Sequence, residues 1–292
     1  MAETYYVPLP HRCVISVSGP DATEFLQGLI TNDLELVSQT QAIYAALLTP
    51  QGKYLHDFFI MAADGAYQLD CEQHRRQDLI TRLSRYRLRA QVDIQETDIE
   101  IFAVTGSGAA AKLGLPETPG AATSFADGVA VNDPRSSVLG LRAYLPVGKG
   151  GQALQNLGLV PGELTSYDAI RYSQGVTDGA PEIEPEKSYP MDFGLERLNG
   201  VSFSKGCYVG QEVTVRMKNR DLVRKCLVPV KIDGPPPAIG APLKFEDANA
   251  GELRGIAGDE GLALVRKDLL DQAIATGKPL EADGAQLYPI KL

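Results

Sequence analysis

Near Cys226 the texture of this chain changes, and that change constrains the fold more than any other feature. Upstream, strand-length apolar runs alternate with stretches at helical spacing. Downstream, a short apolar run over residues 227–232 gives way to Pro235-Pro236-Pro237, then Gly240, Gly251, Gly255 and Gly261 punctuate further short runs. Many short strands separated by turn residues read as a small antiparallel barrel or sandwich. The boundary falls near Asp221, giving a mixed body over 1–220 and a β-domain over 221–292.

Within the body, alternation of apolar and small residues over 13–17 predicts a strand. The turn Ser18-Gly19-Pro20-Asp21 opens a helix over 22–30, with Phe25, Leu26, Leu29 and Ile30 on one face. Residues 43–48 and 54–60 read as strands around the turn Pro50-Gln51-Gly52, and 67–71 as a third. Leu79, Ile80, Leu83 and Tyr86 place a helix over 75–88, followed by strands at 92–94 and 99–104. Gly106-Ser107-Gly108 before an alanine-rich run reads as a strand-to-helix turn, since the third glycine and the paired acid of a dinucleotide loop are missing. Thr165-Ser166-Tyr167-Asp168 has capping-box spacing and opens a short helix. Residues 178–190, rich in Pro and Glu, read as a loop.

The net charge of −9 argues against a generic nucleic-acid or membrane-surface binder. Two basic islands stand out against it. Residues 75–89 carry six arginines and one acid, Asp78; residues 205–225 carry Lys205, Arg216, Lys218, Arg220, Arg224 and Lys225 against Glu212 and Asp221. They read either as solvated faces or as one surface for a polyanion. Direct tRNA binding is not expected, because aromatic and basic residues do not interleave. No apolar run reaches the roughly 18 residues needed to cross a bilayer, so no membrane association is expected. Residues 1–10 lack a basic, then apolar, leader pattern. Four cysteines without a C-x-x-C pair and three histidines suggest neither a zinc site nor a disulfide framework. A reducing, cytoplasmic home is expected.

The densest segment is 199–212, Asn-Gly-Val-Ser-Phe-Ser-Lys-Gly-Cys-Tyr-Val-Gly-Gln-Glu. Gly206 and Gly210 flank Cys207 and permit a sharp backbone turn. Lys205, with Arg216 and Lys218 beyond, supplies positive charge, and cationic neighbours favour thiolate over thiol. A thiolate attacks electrophiles or ligates iron. The plainer alternative for Cys207 is a small buried hydrophobe, the reading that fits Cys13 and Cys226. Cys71 has no functional reading. Gln211 and Glu212 fit the first turn of a helix, where an acid favours the dipole.

The run Lys205-Gly206-Cys207-Tyr208-x-Gly210-Gln211-Glu212 with Arg216 resembles the signature of the YgfZ-type proteins, which include mitochondrial factors acting late in [4Fe–4S] assembly. The run Arg224-Lys225-Cys226-Leu227-Val228-Pro229-Val230 is similar to the mitochondrial branch. Phe25-Leu26-Gln27-Gly28 with Thr31-Asn32-Asp33, Leu48-Thr49-Pro50-Gln51-Gly52-Lys53, and Tyr86-Arg87-Leu88-Arg89 resemble the family elsewhere. The resemblance implies an α+β fold like the glycine-cleavage T protein, a folate-binding body of interwoven subdomains with a C-terminal antiparallel β-barrel.

It further implies tetrahydrofolate, polyglutamylated forms included, as cofactor and no permanently bound metal. Cys207 becomes the acting thiol and a transient iron ligand, with Lys205 tuning it. Gly206, Tyr208, Gly210, Gln211, Glu212 and Arg216 shape the loop. Asp57, Asn32, Arg87, Arg89 and Arg171 become folate contacts, with Arg85, Arg87 or Arg89 meeting the glutamate tail. The implied partners are iron–sulfur assembly proteins and client [4Fe–4S] enzymes, with indirect effects on tRNA thiomodification. Two positions depart from the T protein: His56, read as a surface histidine, replaces an acid beside Asp57, and Ser173 stands where a pteridine-binding Glu is expected. An alternative function is folate-dependent one-carbon transfer with Asp57 as acid–base group, and whether the protein turns over a substrate stays open.

Overall fold

The computed structural model describes residues 4–290; of the opening segment read for a leader, residues 1–3 lie outside the described ones. Eleven strands form the body: β1 (Tyr5–Pro8), β2 (Arg12–Ser18), β3 (Ile43–Leu48), β4 (Tyr54–Ala63), β5 (Ala66–Glu72), β6 (Asp93–Glu96), β7 (Ile99–Thr105), β8 (Ala122–Phe125), β9 (Gly128–Asn132), β10 (Leu141–Pro146) and β11 (Val160–Pro161). Six more, β12 (Lys225–Asp233), β13 (Pro242–Phe245), β14 (Ala248–Ala257), β15 (Glu260–Arg266), β16 (Leu280–Ala282) and β17 (Ala285–Pro289), close a barrel. The helices are α1 (Ala22–Gln27), α2 (Arg76–Arg87), α3 (Ala109–Lys112), α4 (Gly150–Asn156), α5 (Leu164–Ser173), α6 (Gln211–Asn219) and α7 (Lys267–Thr276).

A five-stranded sheet in the order β3-β4-β5-β2-β6 packs one face on α1 and α2. A six-stranded sheet, β11-β1-β7-β10-β9-β8, is covered on its outer face by α3 and α4. β1 joins the six-stranded sheet and β2 the five-stranded one, so the chain interweaves the two from its start. Strands β3 and β4 are buried on both faces, which explains their near-continuous apolar runs. Facing sides of the two sheets meet through Val14, Met61, Ala103, Val131 and Tyr144. The barrel closes around Val230, Leu243, Leu253, Val265 and Leu287, with Cys226 packed at its edge.

One expectation fails on local physics, and another holds with an addition. The capping box at Thr165 does not form: α5 starts at Leu164, its N-cap Glu163 makes no side-chain bond, and Asp168 instead pairs with Arg171 at 2.8 Å. The loop over 178–190 is a loop, but Asp178 and Glu182 are buried within it.

Those acids belong to a buried ionic network. Asp70 on β5 accepts from Arg12 on β2 and from Arg142 on β10, each at 2.7 Å. Arg142 also donates to Asp178 at 2.9 Å, and Arg135 to Asp133 at 2.7 Å. The Arg142 guanidinium lies 4.1 Å from the centroid of the Phe59 ring. Every acid has at least one arginine partner, the condition for burying such charges.

Candidate functional site

Two stretches at least 167 residues apart in sequence build one site. The chain leaving α1 runs antiparallel to the motif loop, and Ser202 N donates to the Thr31 carbonyl at 2.9 Å. Thr31 Oγ1 donates to the Gly200 carbonyl at 2.6 Å, and Asn32 Nδ2 donates to the carbonyls of Asn199 (2.7 Å) and Tyr44 (2.8 Å). Val209 N reaches the Gly28 carbonyl at 3.3 Å. The motif loop is thus tied to α1 along its length.

Lys205 has a different task from the thiol tuning expected of it. Its ammonium donates to three carbonyls, that of Gln27 at the end of α1 and those of Ile30 and Asn32 in the segment that follows, at 2.8, 2.8 and 2.7 Å. An ammonium has three N–H donors, and all three are engaged. A cation at a helix C-terminus also complements the dipole. Burial holds this ammonium down at about 8, and the Asp33 carboxylate partly opposes that. Lys205 fastens the loop.

Cys207, two residues on, is the exposed cysteine of the four; Cys13 and Cys71 are buried and Cys226 is partly covered. The small-buried-hydrophobe alternative for Cys207 therefore fails. The glycines differ in role. Gly210 sits at φ +84°, and a Cβ there would meet the Thr49 carbonyl at 2.6 Å. Gly52, at φ +73°, would meet Val213 at 2.8 Å in the same way. The β3–β4 turn and the start of α6 touch through two glycines, so both positions exclude a side chain. A Cβ at Gly206 meets nothing within 4 Å. Tyr208 is buried with its ring over the Lys205 ammonium at 5.3 Å, while Gln211 Nε2 donates to the Gly206 carbonyl at 3.3 Å. Gln211 and Glu212 open α6, and Glu212 and Arg216 are exposed.

Beside this loop lies an opening of about 460 Å³, lined by Asn32, Gln41 to Tyr44, Pro119, Pro134, Glu196, Asn199 and 201–204. A larger cavity of about 750 Å³ lies at the ends of β4 and β9 and contains no motif residue. The smaller one is the candidate site because Asn199 and residues 201–204, which lead directly into Lys205 and Cys207, line it. Asn32 reaches it as expected, although its side chain is already engaged in the loop tie. Glu196, a carboxylate on the wall, was not foreseen; it pairs with Lys218 at 2.5 Å.

The remaining expected contacts are not brought together here. Asp57 is buried beneath Tyr44, and both carboxylate oxygens are taken by tyrosine hydroxyls, Tyr44 at 2.8 Å and Tyr54 at 2.6 Å. Arg171 is buried in ion pairs with Glu182 and Asp168, each at 2.8 Å. Arg87 and Arg89 sit exposed at the far end of α2 and line neither cavity. Ser173 faces a third cavity beside Gly106 and Gly108. His56, read as a surface residue, is 2% exposed and contacts Asp78 at 2.9 Å. Burial, helped by Arg75, pushes its pKa down to about 4. Of the basic islands, Arg75 and Arg82 pair with Asp78, and Arg76 with Glu96.

The volume of the smaller opening falls in the usual range for small-molecule sites, and it presents amide, hydroxyl and carboxylate groups beside Phe203. Among the described residues, no cluster of three or more His, Cys, Asp or Glu is arranged to hold a metal ion, and no helix is long and apolar enough to cross a membrane.

Comparison with known proteins places this geometry. Residues 11–116 match the GCVT N-terminal domain and 224–292 the CAF17 C-terminal beta-barrel domain. The crystal structure of the glycine cleavage system aminomethyltransferase T from Bartonella henselae superposes on 100% of this chain and 86% of its own, with a TM-score of 0.77 at 18% identity, a likeness of fold. An iron–sulfur cluster assembly factor IBA57 homolog from Pyricularia oryzae is 33% identical over 95% of this chain and 75% of its own length. IBA57 of Mus musculus is 33% identical over 90% and 77%, and that of Homo sapiens 34% over 88% and 76%. All three are named as mitochondrial, which overturns the cytoplasmic expectation. With identity above 30% sustained across both the body and the barrel, the chain belongs to the IBA57 family of iron–sulfur cluster assembly factors.

Proposed function

We propose that this protein serves [4Fe–4S] protein assembly through the Cys207 thiol, with tetrahydrofolate held in the opening lined by residues 201–204 of the same loop. The observation that carries the reading is an exposed thiol on a loop fixed to the body by Lys205, Thr31 and Asn32. A sulfur presented from a stationary loop meets a cluster or a partner protein without first ordering its own backbone. Cluster iron is the cargo, and Cys207 acts on it as a transient ligand or on an electrophile as a nucleophile. The partners are iron–sulfur assembly proteins and client [4Fe–4S] enzymes. Changes in tRNA thiomodification follow indirectly, through iron–sulfur enzymes.

Support for folate comes from the T-protein fold and from the opening's size and lining. When bound, folate supplies a reduced pterin that carries one-carbon units. Asn199, Ser202 and Glu196 are the chain's own groups available to hold its polar edge. The one-carbon transferase alternative needs a free acid–base group, and Asp57 has both oxygens committed to tyrosines.

Cys207→Ala tests the first part. The variant folds, keeps its affinity for tetrahydrofolate, and fails to restore [4Fe–4S] enzyme activities in a deletion strain; full rescue removes Cys207 from the mechanism. Ser202→Trp tests the second, since an indole there intrudes on the opening; unchanged tetrahydrofolate binding by calorimetry removes folate from it.

A further inference from the structure

We propose that Cys13 and Cys71 form a second thiol centre, a cross-strand dithiol that a small hydroperoxide oxidises to an intramolecular disulfide. The two residues lie directly opposite each other on antiparallel β2 and β5. Both are free thiols, with their sulfurs 3.6 Å apart. Directly opposed residues in such a pair have Cα atoms about 4.5–5.5 Å apart, inside the span of about 4.4–6.8 Å that a disulfide bridges. Side-chain rotation brings the sulfurs to a bond of about 2.0 Å while the strands stay paired. The centre is separate from Cys207: both sulfurs sit in the apolar cluster between the five-stranded sheet and α2, and neither residue lines the opening.

The two sulfurs differ in access. Burial and the Asp70 carboxylate oppose ionisation of both, and Arg12 favours it at both. Cys13 is the more accessible, at 5% against 1%. Cys13 is therefore the attacking sulfur. Its thiolate attacks one peroxide oxygen, the O–O bond breaks, and the alcohol or water leaves with a proton, giving a sulfenic acid at Cys13. The Cys71 sulfur then attacks the Cys13 sulfur, the S–O bond breaks, and water leaves with the Cys71 proton. In sum, two thiols lose two electrons and two protons, and the hydroperoxide becomes an alcohol and water. Limited access imposes a size filter: a bulky aromatic disulfide reaches Cys207 and leaves this pair untouched.

The experiment oxidises the folded full-length protein with hydrogen peroxide, then unfolds, alkylates and digests it without reductant for mass spectrometry. The expected product is the Cys13 and Cys71 peptides joined, lighter than the two thiol peptides by their two thiol hydrogens and separated by dithiothreitol. An aromatic disulfide applied to the folded protein labels Cys207 and neither member of the pair. In Cys71→Ser the resolving sulfur is gone, and dimedone captures a sulfenic acid at Cys13; should that variant not fold, the wild-type peptide map decides. The proposal is overturned if Cys207 is fully oxidised while Cys13 and Cys71 both remain alkylatable, or if either is found linked to Cys207 or Cys226 instead.

Discussion

Replacing Lys205 by methionine keeps the aliphatic stem and deletes the ammonium, and so separates fastening from thiol tuning. Three hydrogen bonds from a charged donor, at about 2 kcal/mol each, set a gross loss of about 6 kcal/mol. The ammonium's depression from 10.5 to about 8 reflects desolvation that the substitution relieves, about 3 kcal/mol. The net destabilisation is about 3 kcal/mol. The chain has no tryptophan, so the assay is urea unfolding followed by far-ultraviolet circular dichroism, with the midpoint read at a common slope. Alongside it, the rate of Cys207 alkylation is measured against pH in both proteins. Fastening predicts a lowered midpoint and a Cys207 pH–rate profile that overlays wild type under folding conditions. A loss under about 0.5 kcal/mol, the level of an ordinary surface substitution, together with a profile displaced to higher pH, refutes the reasoning and restores Lys205 to the thiol.

His56 gives the protein an acid-sensitive element. Its folded value of about 4 lies below the ordinary 6.5, so its contribution is complete above pH 6.5 and is lost as pH falls toward 4; His56→Gln should flatten the decline in unfolding free energy across that interval by about 3 kcal/mol, and parallel curves would count against it. Gly210→Ala forces a side chain onto the Thr49 carbonyl at a left-handed backbone position; a loss of at least 1–2 kcal/mol is expected, roughly the left-handed strain alone, with faster amide exchange across α6 and none of that acceleration in the barrel.

Much of the fold was legible because its signals are local. The apolar faces of α1 and α2, the β3–β4 turn and the change of texture before the barrel all follow from neighbours within a few residues. The resemblance carried by residues 205–212 reached the family. What escaped depends on partners distant in sequence. Lys205 stands two residues from Cys207, and adjacency suggested a pair, yet its acceptors are backbone carbonyls that carry no sequence identity. Asp57 looked like a free acid because Tyr44 reaches it only after β3 and β4 pair, and a contact to Tyr54 three residues along one strand is not implied by strand alternation. Arg171 read as a folate contact and Glu182 as part of a loop because charged residues are mostly exposed; their burial rests on pairing with each other and with Asp168. Gly52 and Gly210 each read as punctuation, and their contact has no sequence signature at all.

The shared carboxylate of Asp70 has a mechanical meaning. Two sheets meeting through aliphatic groups alone tolerate a small sideways slip, since the dispersion attraction given up on one side is regained on the other. An acid clamped at once by its own sheet's Arg12 and by Arg142 from across the gap does not tolerate it, because a slip unpairs a charge with no water to take it. Asp70 works as a dowel between the layers. The opening beside the motif loop has Ile43 and Tyr44 from one layer and Pro134 beside the other on its walls, so its width is held before anything enters.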